Sequence, residues 1–173
     1  IGINSGKKID KKFFPIIQSG IDIVCQNLAK NIARDGEGAN CLLEVVVEGA
    51  KESHHAIMIA KSICNSSLVK TAIHGCDPNW GRIISAAGNS GIKFQLNKVD
   101  LFIGDYQILE KGKVIEYDSQ AVNKYIRSRM QGKYLEEDTV LILLNINSGE
   151  SKGAAWGCDL SERYVEINSE YTT

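Results

Sequence analysis

The sequence predicts an α+β fold, and three observations support this class. The 173-residue chain is 43% hydrophobic and 24% charged, the composition of a globular protein that can bury a core. Apolar residues recur at helical spacing in some segments and alternate at strand spacing in others. From Ile92 onward strands dominate and follow one another directly, which favours antiparallel pairing over a regular alternation of strands and helices.

The first half predicts a long helix, a buried strand and a second helix. "FFPIIQSGIDIVCQNLAKNIARDGEG" has Pro15 in its first turn and Gly36 after its end, and its apolar stripe contains Ile17, Ile21, Val24, Leu28 and Ile32. "CLLEVVVEG" alternates as a strand, with Leu43, Val45 and Val47 on one face and Glu44 and Glu48 on the other. "ESHHAIMIAKSICNSS" predicts a helix whose inward residues are Ile57, Ala60, Ile63 and Cys64.

The second half combines short strands with capped helices. "LVKTAI" predicts an extended run, and "DPNWGRIISAAG" predicts a helix capped by Asp77 and begun by Pro78. "FQLNKVDLFIGDYQIL" and "KVIEY" predict strands paired across "EKGK", and a helix runs from Asp118 to Gly132. "DTVLILLNINSG" and "RYVEIN" predict two more strands, separated by the glycine-rich "SGESKGAAWGCDLS". A change of pattern near Ala50 suggests an incomplete first unit, 1–50, and a compact second unit, 51–173.

Charge, hydropathy and cysteine usage exclude several classes of function. The net charge is −1 with both signs mixed along the chain, so we expect no nucleic-acid partner. Apolar runs such as "VLILLNI" are too short to cross a bilayer, so we expect no membrane association. The five cysteines are widely spaced with no CxxC pair, which favours a cytoplasmic location and argues against disulfides or a metal site.

The stretch "TAIHGCDPNWGR" is the first candidate for chemistry. His74, Cys76 and Asp77 could form a nucleophile with its base, part of a metal site, or a tight turn. We favour the turn, since Asp77 is explained as a helix cap and residues two apart in an extended segment need not touch. We interpret this corner as the end of a strand that Gly75 turns into the following helix.

A second candidate is "RDGEGAN", in which Glu37 lies between two glycines after a helix. A carboxylate on so open a backbone could hold an ammonium group. The pattern by itself is more typical of a solvated loop carboxylate than of a binding residue. The polar carboxyl end "NSEYTT" has the composition of a frayed tail.

Three blocks identify a family resemblance. "ARDGEGAN", "VKTAIHGCDPNWGRIISAAGNSG" and "AAWGCDLSERYVEINSEYTT" together resemble the β chain of ornithine acetyltransferase, also called glutamate N-acetyltransferase, of arginine biosynthesis. The resemblance covers nearly the whole chain in the family's order. His74 and Cys76 are not part of it, because family sequences generally carry other residues there, which counts further against a Cys–His mechanism.

The resemblance implies a self-cleaving acetyltransferase. The precursor cuts itself before a threonine, which becomes the first residue of the β chain and acts as the nucleophile. Acetyl passes from N-acetylornithine to glutamate in a ping-pong cycle; no cofactor is implied, although some members also accept acetyl-CoA as a substrate. A Thr-Gly pair of the α chain supplies the oxyanion hole. The implied partners are the α chain and the upstream part of the β chain, in a heterotetramer of two α and two β chains.

The resemblance also implies which residues act in this chain. The sequence begins with Ile1, and its threonines are Thr71, Thr139, Thr172 and Thr173, none of which stands where the nucleophile should be. We therefore expect the carboxyl-terminal part of a β chain, with no catalytic residue, inactive alone: residues 1–50 as the remainder of an αββα sandwich and 51–173 as a smaller α+β domain. The implied substrate-binding residues are Glu37, Asn168 and Thr173, with the tail returning to the active site.

Two alternatives stay open at this point. One is an amidohydrolase or aminopeptidase on a related self-cleaving fold, in which water accepts the acyl group. The other is a non-catalytic amino-acid-binding module. The "DGEG" and "INSEYTT" blocks favour the acetyltransferase over the first, and an upstream threonine in the same reading frame would exclude the second.

Overall fold

A computed structural model describes residues 9–170 of the chain. Six α-helices are found in this range: α1 (Phe14–Arg34), α2 (Ser53–Asn65), α3 (Ser67–His74), α4 (Trp80–Gly88), α5 (Ser119–Met130) and α6 (Glu162–Ser169). The strands are β1 (Leu42–Ala50), β2 (Asp100–Ile103), β3 (Tyr106–Glu110), β4 (Lys113–Val114), β5 (Thr139–Asn145) and β6 (Ser151–Cys158). Short 3₁₀ turns cover Lys11–Phe13 and Leu96–Lys98.

The strands form one mixed sheet in the order β4-β3-β2-β5-β1-β6. The central pair, β1 and β5, is parallel, and the other neighbours are antiparallel. This confirms the predicted α+β class. The domain division at residue 50 stays a prediction, and β1, which precedes that boundary, pairs with β5 and β6 beyond it.

The sheet is covered more fully on one face than on the other. Leu43, Val45 and Val47 are fully buried, as their alternation predicted, in one cluster that includes apolar residues of α2, α3, α4 and α5. Their neighbours Glu44 and Val46 point to the opposite face and are only half-buried. That second face is approached by α1, whose Lys30 pairs with Glu44 at 3.1 Å.

Within residues 9–170, the apolar stripe of α1 is not buried against any other element. The helix forms where it was predicted, with Pro15 in its first turn, yet none of its residues is buried. The stripe residues are 39–76% exposed: Ile17, Ile21, Val24, Leu28 and Ile32. An amphipathic stripe of this width ordinarily packs on something, because its exposure to water is unfavourable.

Three predicted elements near the centre are wrong in detail. "LVKTAI" lies in helix α3, which Ser66 caps by accepting from Val69 N at 3.4 Å and whose Val69, Ala72 and Ile73 are buried at helical spacing. The next helix begins at Trp80 and its cap is Asn79, because Asp77 N donates to Ala72 O and the chain is still closing α3 there. Gly75 is the residue after α3, so no strand ends at this corner.

Other differences lie at the end of the chain. "SKGAAWGC" is strand β6 instead of a loop, and its Gly153 is explained by close packing against α2, since a Cβ there would lie 2.6 Å from Ile57 Cγ1. "RYVEIN" lies in helix α6, so tertiary context overrides its strand propensity. "FQLNKVDLFIGDYQIL" forms the β2–β3 hairpin and not a single strand. Ile57, predicted to point inward, is 37% exposed.

Three other predicted elements are confirmed in whole or in part. Asp118 caps α5 by accepting from Gln120 N and Ala121 N, both at 3.0 Å. Strand β5 forms with Val140, Ile142 and Leu144 buried. Strands β3 and β4 pair as an antiparallel hairpin around Lys111 and Gly112.

Candidate functional site

The candidate site is built on the loop that follows α1, residues 35–40, which we call the site loop. Arg34, the last residue of α1, holds this loop from one side. Its guanidinium donates to Ala39 O at 3.1 Å and to Asn40 O at 3.0 Å. Its Nε donates to the buried carboxylate of Asp138, and its planar group lies 4.9 Å from the ring of Tyr134. The guanidinium is thereby held by Asp138 and Tyr134 while it donates to two carbonyl groups of the loop backbone.

Asp159 holds the same loop from the other side. Its fully buried side chain, 2% exposed as a residue, accepts from Asn40 N at 2.7 Å and from Cys41 N at 3.1 Å. It also accepts from Asn40 Nδ2 at 2.9 Å and pairs with His74 Nδ1 at 2.9 Å. Burial raises the pKa of this carboxyl, but the hydrogen bonds from Asn40 and His74 outweigh burial and hold the pKa below its ordinary value.

The two glycines of the loop permit close packing against the carboxyl-terminal segment. A Cβ on Gly36 would lie 2.6 Å from Cys158 Sγ. Gly38, and not Gly36, takes the positive φ of +71°, and a Cβ there would lie 2.9 Å from Tyr164 N in α6. Ser161 Oγ donates to Gly38 O at 2.7 Å. The neighbours that approach this backbone so closely are therefore β6 and α6.

Helix α6 brings Asn168 against Glu37. Asn168 Nδ2 donates to Glu37 Oε2 at 2.7 Å and to Tyr164 O at 2.8 Å, which uses both protons of its amide. Within residues 9–170, no hydrogen bond involves Glu37 Oε1 or Asn168 Oδ1. Both side chains are exposed. The pair therefore offers acceptor oxygens and one net negative charge, which suits a hydrogen-bond-donating cation such as an ammonium group.

Thr173, the third predicted substrate contact, lies outside the described residues, as does the final part of the tail. Glu37 and Asn168 are 131 positions apart in sequence and are brought into direct contact. Their roles in binding substrate stay predictions.

A groove of about 370 Å³ lies beside the site loop. Its lining includes Arg34, Gly38, Tyr134, Arg163 and Ile167. Glu37 and Asn168 are not among the residues that line it, so the groove and the acceptor pair are separate features of this end of the molecule.

The cluster around His74 was missed by sequence reasoning. The structure separates His74 from Cys76, whose buried thiol faces Met130 Sδ at 3.8 Å, so the two form no nucleophile–base pair. His74 instead contacts Asp159 and, through Nε2, Glu162 Oε2 at 3.1 Å. These partners lie 85 and 88 positions away, and no local spacing could reveal the contact.

Two further absences concern the part of the chain that the structure describes. Between residues 9 and 170, no three His, Cys, Asp or Glu side chains are arranged to hold a metal ion. None of the helices in that range is long and apolar enough to cross a membrane.

Comparisons with known proteins agree on one family. The ArgJ family model matches residues 3–173. The chain is 76% identical over 173 residues to the arginine biosynthesis bifunctional protein ArgJ of Prochlorococcus marinus subsp. pastoris, a match that covers 100% of this chain and 43% of that protein. The protein of the same name from Prochlorococcus marinus strain NATL2A is 52% identical over 169 residues, covering 98% of this chain and 40% of the relative.

The fold is similar to a solved structure that carries the same name. The crystal structure of arginine biosynthesis bifunctional protein ArgJ from Bacillus halodurans superimposes with a TM-score of 0.86 at 39% identity, covering 95% of this chain and 75% of that chain. The chain spans about two fifths of the length of the curated relatives it matches. On this evidence the chain belongs to the ArgJ family.

Proposed function

We propose that this chain forms the amino-acid-binding part of an acetyltransferase of arginine biosynthesis, which moves acetyl from N-acetylornithine to glutamate. The observation that carries the proposal is the contact between Glu37 and Asn168, which leaves acceptor oxygens next to one negative charge. N-acetylornithine carries an ammonium on its side chain, and an ammonium has three donors and no acceptor. The acceptor pair matches that group in charge and in hydrogen-bonding type.

The chemistry is assigned to residues outside this chain. In the proposed reaction a threonine hydroxyl attacks the acetyl carbonyl, ornithine leaves with the transferred proton, and the amino group of glutamate then takes the acetyl group from the threonine ester. Thr71 and Thr139 lie inside α3 and β5 and cannot supply a free amino terminus. We accordingly expect the 173-residue chain alone to be inactive, and we propose no catalytic residue within it.

The exposed face of α1 supports the proposed partners. Ile21, Val24 and Leu28 are 51%, 56% and 57% exposed, an unusual cost for one side of a 21-residue helix. The half-buried second face of the sheet lies beside it. We propose that the upstream part of the β chain and the α chain of the same precursor cover these surfaces, in a heterotetramer of two α and two β chains. A cytoplasmic location belongs to the same proposal.

The test uses the protein expressed from its complete gene. Glu37→Ala should raise the KM for N-acetylornithine about tenfold or more, because a hydrogen bond to a charged group contributes about 1.5–3 kcal/mol. Asp35→Asn is the matched control, since Asp35 is an exposed carboxylate of the same loop. An unchanged KM in Glu37→Ala, or an equal change in Asp35→Asn, would refute the assignment.

A further inference from the structure

The contact between His74 and the start of α6 has no role in the reaction described above. Helix α6 carries Asn168 in its last turn, yet none of the helix residues is buried. Its position therefore depends on a few polar contacts, and not on a packed apolar face. Two of these contacts involve the site loop: Ser161 Oγ to Gly38 O, and Asn168 to Glu37. The third is the contact between Glu162 and His74.

The two carboxylate contacts of the His74 ring require its doubly protonated, charged form. Nδ1 lies 2.9 Å from Asp159 Oδ2, and Nε2 lies 3.1 Å from Glu162 Oε2. An ionised carboxylate only accepts hydrogen bonds, so both ring nitrogens must carry protons for both contacts to exist. A neutral imidazole has only one N–H group, so it must lose one of these two hydrogen bonds. The contact with Glu162 is the weaker one, because that side chain is 86% exposed while Asp159 is fully buried.

We propose that His74 is a positioning residue, which in its charged form joins the buried Asp159 to the first turn of α6 and so holds Asn168 against Glu37. This inference rests on the proposed substrate-binding role of Glu37 and Asn168. The groups that face the ring are Asp159 from the segment after β6, Glu162 from α6 and the neutral amide of Asn40. His74 touches no substrate-binding residue itself and acts through the helix.

The electrostatic environment agrees with this role. Burial lowers the pKa of His74, but the hydrogen bonds to Asp159 and Glu162 outweigh it and raise the pKa above its ordinary value. A raised pKa in the folded state means that the contact stabilises fully below the unfolded pKa of about 6.5. The stabilisation is lost as the pH rises through the folded pKa. The contacts that hold α6 should therefore weaken as the pH rises through the folded pKa of His74, which lies above its ordinary value.

The Glu162→Gln substitution tests whether the contact between residue 162 and His74 depends on the protonation of His74. In this variant a neutral imidazole can keep Nδ1–H on Asp159 and accept from the new amide at Nε2, while a charged imidazolium can donate to the amide oxygen. The contact thus survives at every pH, and its pH dependence disappears. Glu166→Gln is the matched control, since Glu166 is an exposed carboxylate of α6 one turn away from Glu162.

Two readouts are measured from pH 6 to 9 on the protein expressed from its complete gene. The first is amide hydrogen exchange of residues 162–169, corrected for intrinsic rates. The second is the KM and kcat for N-acetylornithine. In the wild type and in Glu166→Gln, exchange should speed up and KM should rise roughly two- to fivefold as His74 loses its proton, which is the range for a partly exposed ion pair. In Glu162→Gln both should stay flat.

The outcomes are distinct. Equal pH profiles in the wild type and in Glu162→Gln overturn the proposal, and so does a flat profile in Glu166→Gln. Exchange that responds while KM does not also overturns it, because α6 then moves without positioning substrate. Glu37→Ala at pH 6.5 is measured in parallel: an unchanged KM there refutes the proposed function itself, whatever the pH profiles of the other variants show.

Discussion

Asp159→Ala is the perturbation whose effect follows most directly from the structure. The carboxylate is buried, and it accepts from the backbone N–H groups of Asn40 and Cys41 at 2.7 and 3.1 Å. Removing it leaves two backbone donors without their partner at the base of the site loop. Each unsatisfied buried donor costs about 1–3 kcal/mol, and water entering the space recovers part of this. We expect local opening of the loop to become easier by about 3 kcal/mol.

The assay is native-state hydrogen exchange at the amides of Asn40 and Cys41, which reports the free energy of opening at those two groups. Because the folded pKa of Asp159 is lowered, its stabilisation is present above the unfolded pKa of about 3.9 and is lost as the pH falls through the folded pKa. The difference between wild type and variant should therefore be full at neutral pH and shrink on strong acidification. A difference below about 1 kcal/mol at pH 7 would refute this account of the loop.

Three further predictions concern the same region. Arg34→Lys should lower the free energy of loop opening by about 1–3 kcal/mol, since an ammonium cannot reproduce the forked contacts; equal exchange rates in both proteins would contradict this. Gly38→Ala should speed exchange in α6, because the added Cβ would lie 2.9 Å from Tyr164 N at a φ of +71°; unaltered exchange would refute the close packing. The thiols of Cys41 and Cys64 should resist alkylation by iodoacetamide at pH 8 in the folded protein. Burial raises the pKa of Cys64 to about 12 and raises the pKa of Cys41 further still, so neither thiol is ionised at this pH. Rapid labelling of either thiol in the native state would contradict this.

The fold class was predictable because it depends on patterns that are local in sequence. The alternation in β1, the continuous apolar run of β5 and the cap at Asp118 act over a few residues, and the structure confirms these elements. Strand β6 and helix α6 were predicted wrongly for a physical reason. Gly153 of β6 is required by the closeness of α2, and α6 is a helix although its residues favour strands.

The pairing of Glu37 with Asn168 in one candidate site was suggested only by the resemblance, and their role in binding stays a prediction. Glu37 between glycines is a common loop pattern, and Asn168 lies in a segment that composition describes as a tail. Their contact depends on how α6 returns across the site loop, which no local spacing encodes. The same is true of Asp159 and His74, whose partners are distant in the chain, and of the contact between Arg34 and Asp138.

The central claim is that Glu37 and Asn168 recognise the ammonium of the substrate. The most direct measurement compares kcat/KM for N-acetylornithine with that for N-acetylnorleucine, whose side chain has the same length and ends in an uncharged methyl group in place of the ammonium, in the wild type and in Glu37→Gln. We expect the wild type to prefer the charged substrate about tenfold or more, and the variant to lose most of that preference, because the substitution removes the charge and keeps the shape. A preference that is unchanged in Glu37→Gln would contradict the account.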